Sequence, residues 1–220
     1  MDPRNVKTIE DAKKIVLQRE LKHVKVGVFD LDGVMRGKYM SRDKFFSSLE
    51  KGFGFCDVVL GWDVKDQLYD NTSFTGWHTG YPDAPVRIVP SSCRPLPHED
   101  NGLLFLGEFT GEAETLCPRA LLRRVLDQAK GMGFDVFSGF EYEFFVFNET
   151  PHSVREKAYK DLIPLAPGDF GYSVIRNSVD ADIYQSLLDL AEIMDFPIEG
   201  LHEETGPGVL EAAIAVDGGL

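Results

Sequence analysis

The sequence predicts an α+β protein, with a small mixed β-sheet domain over residues 1–112 and an α/β domain with an antiparallel sheet over residues 113–220. Three observations carry this reading. Short apolar runs bounded by turn residues crowd the first half. Helical and strand periodicities alternate in the second half. A chain of 220 residues is also long enough to bury a core in one large or two small domains.

Thr8-Ile9-Glu10-Asp11 is a capping pattern, and Ile15, Val16 and Leu21 follow at helical spacing, so residues 8–21 form an N-terminal helix. Val24, Val26 and Val28 alternate with Lys25 and Gly27. Asp30-Leu31-Asp32-Gly33 then turns the chain into Val34–Met40, which completes a hairpin. Asp43–Lys51 is a short helix ended by Gly52. Arg87–Pro90 and Leu103–Phe109 are further strands, separated by a Pro- and Ser-rich loop over Pro90–Asn101. Pro118 opens a helix that Gly131 and Gly133 close, with an apolar stripe of Leu121, Leu122, Val125, Leu126 and Ala129. Gly139–Phe147 is a strand, and Asn148–Ser178 is a long polar loop of the kind that serves a site or packs across a neighbour. Asp180–Asp195 carries Ile183, Leu187, Leu190, Ala191 and Met194 as a second helix, after which Pro197 opens the strand bearing Glu199. Ala213–Leu220 has no stop or cap and reads as the end of a truncated chain.

Composition narrows the class. A net charge of −13, an isoelectric point near 4.8 and no basic patch exclude a nucleic-acid binder. No apolar run is long enough to span a membrane and the N-terminus has no signal-peptide core, so a cytoplasmic location is expected. Cys56, Cys93 and Cys117 are odd in number and lack metal spacing, which fits reduced structural thiols.

The chemistry begins with Glu141 and Glu143. Two residues apart in a strand, they share a face at about 7 Å. Clustered carboxylates call for a cation, and hard oxygen ligands suit Mg²⁺ or Mn²⁺; the alternative is an edge strand with a solvated face. A second acidic group lies in Glu199–Glu211, where the Gly206-Pro207-Gly208 turn folds the chain back so that Glu204 and Glu211 flank it. His202 beside them reads first as a hydrogen-bonding surface histidine and second as a nitrogen ligand.

The run from Glu199 through His202-Glu203-Glu204-Thr205-Gly206-Pro207-Gly208 to Glu211, preceded by Phe140-Glu141-Tyr142-Glu143-Phe144-Phe145, resembles the glutamine synthetase family in order and separation. Tyr81–Arg87 and Pro118–Leu126 are similar to earlier family segments. The resemblance implies a β-grasp-like N-terminal domain and the first part of the family's catalytic domain. It further implies an ATP-dependent ligase that activates glutamate as γ-glutamyl phosphate and passes it to ammonia or an amine. Glu143, Glu204 and Glu211 would hold one divalent ion, Glu141 the other, and Glu199 would stand near the ATP. The complete protein would be a homo-oligomeric ring with sites at its interfaces. Glu203 stands where many members have a second His and Val209 where many have Gln, which leaves ammonia, an amine, a polyamine or a different acid substrate open. Asp57 falls where the family sends an acidic loop into a neighbouring subunit's site, a solvent-facing turn being the alternative. Later family segments, carrying a metal-binding His, a glutamate loop and paired arginines, would lie beyond Leu220.

Two rival readings remain. Val26–Gly33 resembles motif one of haloacid dehalogenase phosphatases, with Asp30 as nucleophile and Asp32 as acid, but the later Lys and acidic pair are missing and an Asp-Gly hairpin explains the turn. A non-catalytic scaffold relative of glutamine synthetases would have lost metal ligands, and here the four matching carboxylates are kept. Asp169-Phe170-Gly171 is a turn, since no other kinase motif accompanies it.

Overall fold

A computed structural model describes residues 1–219, which divide into two compact units, Met1–Val136 and Phe137–Gly218.

The first unit is built on a five-stranded mixed sheet. Its strands are β1 (His23–Phe29), β2 (Met35–Ser41), β3 (Phe53–Cys56), β4 (Asp83–Pro95) and β5 (Leu103–Phe109), in the order β2-β1-β5-β4-β3. β1 and β5 are parallel, and the other pairs are antiparallel. Val24, Val26 and Val28 alternate onto the buried face, where Ile15 and Val16 of α1 (Ile9–Gln18) and Phe45 of α2 (Arg42–Lys51) meet Phe105 and Phe109. The Phe45 and Phe105 rings lie 4.7 Å apart. The predicted helix caps are present: Thr8 and Asp11 form a reciprocal capping box, and Gly52 ends α2 at φ +71°. α3 (Pro118–Gly131) starts at its proline as expected.

One expected boundary is corrected and one rival reading loses its basis. β4 does not end at Pro90 but runs on to Pro95 through a register shift between Val89 and Arg94. Proline has no N–H for the ladder, so the strand bulges, and the Ser92 hydroxyl accepts the Leu106 N–H at 2.7 Å in place of a backbone carbonyl. Asp30, the nucleophile of the phosphatase reading, is fully buried as a turn residue. Its carboxylate accepts the N–H groups of Asp32 (3.0 Å) and Val34 (2.8 Å), and Arg36 Nε donates to it at 2.7 Å. Both oxygens therefore serve the hairpin, which removes the geometric basis of that reading.

The second unit holds a three-stranded antiparallel sheet in the order β7-β9-β8, and a short β6/β10 pair (Phe137–Ser138, Asp217–Gly218). β7 is Glu141–Phe145, β8 is Ile198–Glu203 and β9 is Val209–Ile214. α6 (Ala181–Met194) forms as the periodicity predicts. The Asn148–Ser178 segment is not a structureless loop: it contains α4 (Pro151–Glu156) and all but the last residue of α5 (Val174–Val179). Thr150 caps α4, and Glu149 closes the segment by accepting from Ser153, Lys157 and the Ile163 N–H. Helices this short escape periodicity, because one and a half turns show no apolar stripe. Among the described residues, no helix is long and apolar enough to cross a membrane.

Candidate metal centre

Strand register assembles this site. Glu143 of β7 lies opposite Glu211 of β9, and Glu211 lies opposite His202 of β8. Residues paired across strands share a face, so Glu143, Glu211 and His202 form one row across the whole sheet. The neighbouring row is Glu141, Ala213 and Gly200, whose two small members lay a low floor beside the carboxylates.

Glu204 joins from just beyond β8. Its N–H donates to the Val209 carbonyl at 2.9 Å, closing the turn that reverses the chain into β9. Gly208 makes this turn possible. It sits at φ +70°, and a Cβ there would meet the Val146 carbonyl oxygen at 2.7 Å. The closed turn brings one donor atom each of His202, Glu204 and Glu211 within 4.8 Å of one another, all three half-buried.

Hydrogen bonds fix the donors. His202 Nε2 lies 3.1 Å from Glu204 Oε1 and 4.0 Å from Glu211 Oε1. The Tyr172 ring stacks on the imidazole at 4.4 Å and 16°, and its N–H donates to the Glu203 carbonyl at 2.8 Å. A hydrogen bond with Tyr172, then the Thr205 N–H and His202, hold the Glu204 carboxyl down at about 2, and the same bond to Glu204 pushes the Tyr172 phenol up. Glu204 is thus an anion at any physiological pH.

The structure sorts the predicted residues. Glu204 and Glu211 come together with His202, Glu143 pairs with Glu211, and Glu141 stands one step along the same face. Glu141 and Glu143 are exposed on an edge strand. Glu199 falls in the irregularity between Ile198 and Gly200, exposed and without a cross-strand partner. His202, expected as a surface hydrogen bonder, makes that bond and also belongs to the triad. Glu203 corrects the sequence reading: it lies opposite Leu210, on the face away from the carboxylate row, and is only 4% exposed. Val209 pairs with Phe145 and so keeps to the site face. Asp57, in the first unit, is buried and not a solvent-facing turn; the Thr75 hydroxyl donates to it, and it lines a cavity with Asp83 and Glu112. Tyr172 was missed. Its only signal was the glycine-marked turn at Gly168–Gly171, thirty residues from the histidine it covers.

Residues 115–220 match the model of the family described as glutamine synthetase, catalytic domain. Type-1 glutamine synthetase 2 of Dictyostelium discoideum is 45% identical over 196 residues, which cover 87% of this chain and 37% of that protein. Glutamate–isopropylamine ligase of a Pseudomonas species is 28% identical over 226 residues, covering 100% of this chain and 49% of the relative. The chain thus spans less than half the length of either relative. A glutamine synthetase structure from Plasmodium falciparum shares the fold, with a TM-score of 0.72 at 15% identity over 99% of this chain and 46% of that one. The catalytic-domain match over the segment that carries the carboxylates, and the extended identity to these relatives, show that this chain belongs to the glutamine synthetase family.

Proposed function

We propose that the protein carrying this chain is an ATP-dependent ligase that joins glutamate to ammonia or an amine through γ-glutamyl phosphate, in a homo-oligomeric ring. The observation that carries the proposal is the row Glu143–Glu211–His202 with Glu204 beside it. Three carboxylates and an imidazole with no cationic side chain bonded to Glu143 or Glu211 among the described residues suit a divalent ion of the Mg²⁺ or Mn²⁺ type. Glu143, Glu204 and Glu211 would hold one ion and Glu141 a second, with Glu199 on the ATP side. When bound, such ions neutralise the phosphates of ATP and the phosphoryl group in transfer.

The chain's own residues do the positioning. Glu204 enters the reaction already ionised, because the hydrogen bonds from Tyr172 and Thr205 favour its charged form. Tyr172 holds the His202 ring flat, so the imidazole nitrogen and both glutamates keep a fixed mutual geometry. The Gly206–Gly208 turn sets the separation of Glu204 and Glu211, since no side chain fits at Gly208.

The acceptor question also narrows. Glu203 faces away from the site and does not select the acceptor, which leaves Val209 as the departure on the site face. An aliphatic residue there favours an alkylamine over ammonia, in line with the relative named glutamate–isopropylamine ligase. The test is product formation from ATP, glutamate and either ammonia or alkylamines by the full-length protein. γ-Glutamyl alkylamide with stoichiometric ADP supports the reading, and absence of glutamate-dependent ATP cleavage with every acceptor overturns it.

A further inference from the structure

The elements packed on the other face of β8 carry buried, unpartnered oxygens that the ligase chemistry does not use. Alternation along β8 sends Glu203 to the opposite face from His202, towards α5 and α6, which pack on this strand. Glu203 is 4% exposed, and neither carboxylate oxygen has a hydrogen-bond partner. Tyr184 of α6 is 8% exposed and its hydroxyl is likewise unpartnered, as is the buried Oδ1 of Asn177 on α5. Four buried oxygen atoms on three packed elements are thus without partners, where native interiors satisfy nearly all such atoms.

We propose that Glu203, Tyr184 and Asn177 bind a small monovalent cation, of potassium or ammonium size, between β8 and the α5–α6 pair. Enclosure by this chain's own residues excludes a bulky partner, because at 4% exposure no incoming side chain reaches the carboxylate. A buried carboxylate costs several kcal/mol unless its charge is compensated, which a water molecule alone does not do. A proton on Glu203 would neutralise the charge and supply one O–H donor, and it is told apart from a cation by the salt comparison below, since it gives no difference between potassium, ammonium and tetramethylammonium. Magnesium requires near-octahedral coordination and parts with water reluctantly, which an enclosed site built on one carboxylate does not suit. The charged groups around the site are Asp180, between the two helices, which adds to its negative potential, and Arg176 of α5, which opposes it. The Arg176 guanidinium lies 3.9 Å over the Phe170 ring and makes no hydrogen bond to Glu203. One net negative charge with neutral oxygen donors matches a large monovalent ion.

The experiment is thermal unfolding of the full-length protein, stripped of divalent ions, in potassium, ammonium or tetramethylammonium chloride at equal ionic strength. A ligand that binds only the folded state raises the melting temperature by mass action. Potassium and ammonium are expected to raise it by several degrees over tetramethylammonium, and Glu203→Gln to abolish the difference. Tyr184→Phe removes one donor oxygen but no charge, so it decides the matter should Glu203→Gln fail to fold; it should weaken the potassium response several-fold. Equal melting temperatures in all three salts, or a full potassium response in either variant, overturn the proposal. Glu143→Gln should keep the full response, because it lies on the other face, so failure here is distinct from failure of the ligase reading.

Discussion

In the five-stranded sheet Glu108 is 1% exposed, yet three guanidinium groups converge on it: Arg87 and Arg123 at 2.7 and 2.6 Å and Arg119 at 3.0 Å. In the three-stranded sheet Glu203 is nearly as buried and its carboxylate has no hydrogen bond, while Glu143 and Glu211 face each other with no lysine or arginine bridged to either among the described residues. The first unit neutralises Glu108 with its own arginines, as it also does Asp30 with Arg36. The second leaves charge uncompensated on both faces of one sheet. A chain that supplies arginine to one carboxylate three times over and supplies none to these three fits the proposal that they hold ions from solution.

The largest expected effect breaks the self-sufficient side. Glu108→Ala leaves three arginines around an empty centre, and loss of one partner from a buried charged group costs about 3–5 kcal/mol. Denaturant unfolding checks this, and a loss below about 1 kcal/mol would mean that solvent already screens the cluster. On the open side, Tyr172→Phe removes the hydrogen bond to Glu204 but keeps the ring on His202. Divalent-ion affinity should fall about tenfold with little change in stability.

A pH titration sharpens the contrast. Arg123, Arg87 and Arg119 hold Glu108 at about 2 against the upward push of burial, while Lys157, Ser153 and the Ile163 N–H hold Glu149 at about 2. Tyr172 does the same for Glu204. With folded values below the ordinary 4.5, the unfolded chain binds these protons first. Their contribution is therefore complete above about pH 4.5 and is lost as the pH falls towards 2. Melting curves across this window should show the drop, and it should shrink in Glu108→Gln. The smallest effect is expected from Asp30→Asn, which keeps an acceptor in the hairpin turn: ligase turnover should stay within a few-fold of wild type.

Much of this was legible in the sequence, for local reasons. Thr8, Gly52, Pro118 and the alternating valines of β1 announce their elements because capping, left-handed φ, proline at a helix start and a period of two act within a few residues. Glu141, Glu143, Glu204 and Glu211 were identifiable as a group by their spacing and resemblance. The pairing of Glu143 with Glu211 was not, because that register joins strands far apart in sequence, and the pairing of Glu211 with His202 was not, because it depends on the geometry of the turn between β8 and β9. Tyr172 was hidden because it too lies far in sequence from the histidine it covers. The direction of Glu203 was also illegible, since which face of β8 meets the helices is decided by tertiary packing. The extension of β4 past Pro90 rests on the Ser92 hydroxyl replacing a backbone acceptor, a substitution that propensities do not register.

The central claim is that the three-stranded sheet presents an ion-binding row. Calorimetric titration of Mn²⁺ into the full-length protein tests it most directly, comparing wild type with Glu143→Gln and Glu211→Gln. Each substitution removes one charge at nearly constant size from residues paired across β7 and β9. The account predicts saturable binding in the wild type and a loss of affinity of about tenfold or more in each variant, with melting temperatures in the absence of Mn²⁺ unchanged or raised, because like charges are relieved. Wild-type Mn²⁺ affinity in both variants would contradict it.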